Sequence, residues 1–92
     1  MKDSNNRIEA FALTDRAIRL QLADDAELSE VERCLSKALE LDPENIDALQ
    51  EAAHLYDAVI PDRDRARKYA SLCRENALRV VAEMDNILSD NQ

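Results

Sequence analysis

No glycine occurs anywhere in the chain. Primed hairpin turns, phosphate-cradling loops and sharp strand corners lean on glycine, so its absence directs the chain towards an all-helical domain. Two prolines, Pro43 and Pro61, supply the breaks between runs of helix formers. Hydrophobic residues make up 46% of the chain but aromatics only 3%, so the core must be aliphatic and alanine-rich. Ninety-two residues suffice for one small domain, near the lower end of what a single core can stabilise. Charged residues alternate with apolar ones rather than forming long blocks, which argues against disorder.

Four helices are expected. The first runs from about Ser4 to Ala23, with Ser4 or Asn5 as N-cap and an apolar face of Ile8, Phe11, Ala12, Leu13, Ala17, Ile18 and Leu22. At the corner "ADDAELSE" two capping boxes compete, Asp24 with Glu27 and Ser29 with Glu32. The second helix carries Val31, Leu35, Ala38, Leu39 and Leu41, and Pro43 forces it to end by about Leu41. Asn45 is placed to cap a third helix with the face Ile46, Leu49, Ala52, Ala53, Tyr56 and Val59. Asp62 is placed to cap a fourth, over about residues 63–89. Along this last helix Ala66, Ala70, Cys73, Ala77, Val80, Met84 and Ile87 alternate steps of four and three, a seam that is small in its first half and large in its second.

No run approaches the length of a membrane span and the start "MKDSNNRIEAF" lacks a signal-peptide core, which points to the cytoplasm. Cys34 and Cys73 lie on apolar faces without metal-ligand spacing and read as reduced structural thiols. The formal charge of −8 is uneven. Residues 24–57 hold eleven acids against Arg33 and Lys37, whereas residues 61–79 are net positive through Arg63, Arg65, Arg67, Lys68, Arg74 and Arg79. An acidic body repels nucleic acid and anionic membranes and favours a basic partner. The arginine cluster has only Tyr69 beside it and is interrupted by Asp62, Asp64 and Glu75, so it reads as a solvated helix face, or as a surface that pairs with the acidic surface of a second copy, rather than a nucleic-acid patch.

Self-comparison finds an internal repeat. Ile18, Leu22, Val31, Leu35, Ala38 and Pro43 keep the spacing of a 34-residue helix–turn–helix unit. Leu49, Ala52, Ala53, Tyr56, Ala66, Ala70 and Cys73 repeat it with one extra residue in the corner. On these residues, and on "ALELDPEN", "ALQEAAHLY" and "ARKYASLC", the chain resembles the tetratricopeptide repeat (TPR) family. The units span about residues 12–45 and 46–79, followed by an extension over 80–89. Asp15 stands at a usually large apolar position, Arg19 at a usually small one, and Leu78 where a further proline belongs, which favours one long last helix over a third repeat.

The resemblance implies an all-α superhelix of antiparallel hairpins whose first helices line a concave groove for a peptide or partner helix. Carried over by position, that groove is Leu13, Arg16, Leu20 and Ala23 with Asp47, Gln50, His54 and Asp57. Leu13 and Leu20 fit either a groove for an amphipathic helix or internal packing. The lysine and asparagine pattern with which chaperone-binding members clamp a C-terminal carboxylate is absent.

Catalytic, cofactor and metal sets are not suggested, because a single histidine supports neither a triad nor a shared metal. The expected function is protein–protein interaction, as an adaptor that dimerises through Val80, Val81, Met84, Ile87 and Leu88. The alternatives are a monomeric adaptor with a peptide groove, and a small regulatory or inhibitory protein that meets a basic partner through the acidic body.

Overall fold

The computed structural model describes the backbone of residues 2–23, 25 and 27–90, and the side chains of 5–23, 25 and 27–89. Four helices follow in order: α1 (Lys2–Leu22), α2 (Leu28–Leu41), α3 (Ile46–His54) and α4 (Arg63–Asp90). A single π-helical turn, Leu55–Val59, extends α3. No strand occurs among the described residues.

The helix ends show how a chain without glycine turns. No described residue has a positive φ. Asp42 and Ile60 instead stop their helices in non-helical conformations, with φ and ψ of −143° and 80°, and −121° and 84°. Each precedes a proline, whose ring crowds the helical conformation of the residue before it. Asn45 then restarts the chain: its side chain accepts from the Ala48 N–H at 3.0 Å and donates to Asp42 Oδ2 at 3.2 Å. Asp62 does the same for α4, accepting from the Arg65 N–H at 3.2 Å.

Two expected caps are not used. α1 begins at Lys2, so Ser4 and Asn5 lie within it. α2 starts after Glu27 with no side-chain cap, leaving Ser29 inside the helix, while Asp24 lies outside the described residues. The third helix also departs from its expected course. Beyond His54 the ladder widens, with Ile60 N–H bonding Leu55 O and Asp62 N–H bonding Tyr56 O, both at 2.8 Å. A π turn takes in one residue more than an α turn, so this segment holds a residue beyond what regular helix would.

α1 and α2 form one hairpin, and α3 with the first half of α4 forms a second. α3 is central, packing on all three other helices, whereas the backbone of α4 lies mainly against α3 and the π turn. The core joins Ala17 of α1, Val31, Cys34 and Leu35 of α2, and Ala52, Leu55 and Tyr56, closed by Leu13, Leu20, Leu39, Ile60, Ala66 and Tyr69. A second contact, Ala10 with Ala38 and Ala48, brings three helices together through methyl groups, flanked by Leu13, Leu39 and Leu41. Side chains this small permit interaxial distances at the short end of the usual 8–10 Å.

The packed stripe of α1 shares Leu13 and Ala17 with the expected face but is turned away from its other large residues. Ala10, Thr14 and Ala17 are buried, while Ile8, Phe11, Ala12 and Leu22 face solvent. Thr14 is compatible with burial because its hydroxyl donates to Ala10 O at 2.8 Å. The radius of gyration is 14.9 Å, above the ~12 Å of a compact chain of this length. The excess comes from α4, about 42 Å long at 1.5 Å per residue, which continues past the end of α3.

Candidate interaction surface

Between α3 and α4 lies an open groove of about 790 Å³, lined by residues 50–77. Its floor is Ala53, Ala66, Ala70, Cys73 and Ala77, and its rim is Gln50, His54 and Asp57 on one side and Arg63, Arg67 and Arg74 on the other. The small half of the α4 seam makes this floor. Bulky side chains there would fill the space that the alanines leave open.

One end of the groove is fixed by a polar cluster around Tyr56, whose ring is buried. Its hydroxyl donates to Glu32 Oε2 at 2.8 Å and accepts from Arg65 Nη1 at 3.4 Å. Arg65 also lies 3.6 Å from Glu32 and 3.4 Å from Asp62, with its guanidinium 5.2 Å above the Tyr56 ring. Tyr69 stacks on Tyr56 with ring centroids 5.9 Å apart. Burial, and then the neighbouring Glu32 carboxylate, push the Tyr56 hydroxyl above the ordinary tyrosine range. The cluster couples α2, the π turn and α4. Its members lie far apart in sequence, and nothing in the local pattern announces it.

Beyond Ala77 the same face of α4 turns large. Val80, Val81, Met84, Ile87 and Leu88 are 43–66% exposed. Every described side chain from Leu78 to Ser89 is exposed, so this half covers none of its own chain's core.

The residues expected to form one groove are divided among three surroundings. Leu13 and Leu20 are half-buried and pack against the core. Arg16 turns towards α2, 3.8 Å from Glu30. Arg33 hydrogen-bonds the same Glu30 and holds its carboxyl below the usual carboxylate range. Gln50, His54 and Asp57 line the α3–α4 groove. Asp47 and Gln50 face α1 across a shallow cleft of about 130 Å³, where the α1 wall is Phe11, Thr14, Asp15 and Ile18. That wall follows from the alanine stripe: once Ala10 and Ala17 turn inwards, Phe11 and Ile18 flank the cleft. Ala23 is exposed.

Cys34 is buried, Cys73 is half-buried, and both are free thiols. No cluster of histidine, cysteine and carboxylate side chains suited to a metal ion occurs among the described residues. No described helix is long and apolar enough to cross a membrane. No protein-family model, curated protein or solved structure matches the chain.

Proposed function

We propose that this chain is a TPR-like protein-interaction module without chemistry of its own, acting in the cytoplasm and self-associating through the second half of α4. The observation that carries this reading is the exposed stripe of Val80, Val81, Met84, Ile87 and Leu88. Large aliphatic side chains in a continuous row on one helix are the mark of a contact surface rather than of a solvated cap. The repeat resemblance supports it further, because stacked hairpins bury their faces against neighbours and two units provide few of these. Two free thiols fit a reducing compartment.

The acidic body favours a basic partner less than its charge suggests. Glu30, Glu32, Glu40 and Glu44 are committed to Arg33, Arg65, Lys37 and Arg79 within the chain. Sedimentation equilibrium at about 50 μM, where weak dimers are populated, tests the proposal. The wild type is expected to be dimeric, and Met84→Glu monomeric with unchanged helicity. A monomeric wild type whose stability is unaffected by Met84→Glu would sink it.

A further inference from the structure

The seam of α4 has two unequal halves, and one copy of the chain uses neither fully. Ala66, Ala70, Cys73 and Ala77 form the floor of the α3–α4 groove, while Val80, Val81, Met84, Ile87 and Leu88 stand in solvent on the continuation of that face. The large half cannot reach the groove of its own chain, because α4 is one unbroken helix from Arg63 to Asp90. A second copy can. Resting on the self-association proposed above, we infer that two copies pair with their α4 helices antiparallel about Ala77, each placing its large half in the groove of the other.

Size complementarity comes first. In this arrangement Met84 lies at the level of Ala70 of the other copy, Val81 at the level of Cys73, and Leu88 at the level of Ala66. These three large side chains each meet a small one, while Val80 and Ile87 come level with Arg74 and Arg67 at the groove rim, so the fit runs along about 33 Å of helix. A parallel pairing would set large against large and alanine against alanine, with voids in one half and crowding in the other.

Charge gives a second, independent reason. Arg67 and Arg74 stand on the groove rim. Asp85 lies eighteen residues, or about five turns, beyond Arg67 and so on the same flank of α4. Antiparallel helices bring like flanks together with their ends exchanged, which sets Asp85 of each copy within about one turn of Arg67 of the other. The basic first half and the acidic last turns are thereby matched. The contact is isologous, so each pairing occurs twice, and both grooves are filled with no surface left to recruit a third copy.

The test is disulfide mapping of the full chain in a Cys34→Ser, Cys73→Ser background. With Ala70→Cys and Met84→Cys together, copper–phenanthroline oxidation is expected to give a covalent dimer, with the 70–84 linkage found by peptide mass spectrometry. Met84→Cys alone is expected to stay unlinked, since its two copies are then about 21 Å apart along the axis, beyond disulfide reach. A charge exchange guards against loss of association in the cysteine variants. Asp85→Lys should weaken dimerisation, and adding Arg67→Glu should restore it. Linkage through Met84→Cys alone, or a dimer with no 70–84 linkage and no charge rescue, overturns the antiparallel arrangement while leaving self-association standing. A wild type that stays monomeric at about 50 μM removes both together.

Discussion

The Tyr56 hydroxyl donates to Glu32, twenty-four residues earlier, at 2.8 Å, and this contact ties the second hairpin to the first. It is short, partly screened from water, and braced by Arg65 at 3.4 Å. Tyr56→Phe is expected to lower stability by about 0.5–1.5 kcal/mol, the usual net worth of such a bond, without changing association. Urea titration with parallel sedimentation measures both.

The same hydroxyl sets an alkaline limit. Its folded-state value lies above the ordinary tyrosine value, so the unfolded chain gives up this proton first. The stabilisation is complete below the unfolded value of about 10 and is lost as pH rises through the folded one. Melting temperature should therefore fall more steeply above about pH 10 in the wild type than in Tyr56→Phe. Parallel slopes in the two proteins would show that Tyr56 is not the group responsible.

At the second corner, stop and start are separable. Asn45→Ala removes the acceptor for the Ala48 N–H and should cost about 0.5–2 kcal/mol. Pro43→Ala keeps that cap and should cost less than about 1 kcal/mol, because it mainly frees the unfolded chain. Neither change touches α4, so dimerisation should persist in both. Loss of association on Pro43→Ala would mean that the corner has a role in binding.

Leu49 is 1% exposed and Leu88 is 66% exposed, although the two are chemically identical. Leu49→Ala should cost about 2–5 kcal/mol, a large fraction of what so small a domain has. Leu88→Ala should leave the unfolding midpoint at low protein concentration unchanged and reduce its rise with concentration. Chemical denaturation at two concentrations separates the effects.

The π turn gives the last prediction. Ala58 is exposed, within the turn that takes in one residue more than an α turn. Deleting Ala58 should convert the turn to regular helix and leave the chain folded, with a cooperative melt. Deleting Ala52, which is buried in regular helix, should instead turn Leu55 and Tyr56 out of the core and abolish cooperativity.

Large-scale architecture was readable because the corners announce themselves. Pro43, Asn45 and Asp62 act locally, each within a few residues, and the structure uses each as its chemistry suggests. The faces of α1 were less legible. Periodicity weights large side chains and does find Leu13 with Ala17, but this helix also packs through Ala10 and Thr14, where closeness of approach matters more than the area of any one residue. A threonine satisfied by its own helix carries no apolar signal at all. The grooves were legible only in outline, since whether Leu13 faces a partner or the core depends on the rotation of α1 against α2. The Glu32–Tyr56–Arg65 cluster left no trace in local pattern, because long-range pairs of surface types have no period.

The absence of positive φ has a consequence for how this backbone relates to its sequence. Each described position can bear a β-carbon without penalty, and at the two corners that enter and leave α3 and its π turn, direction is encoded by steric stops placed before prolines rather than by permissive residues. Such a chain is stiff in its unfolded ensemble, since glycine's broad conformational freedom is nowhere present to be lost on folding. A domain with so small a core keeps its stability partly by having less disorder to overcome.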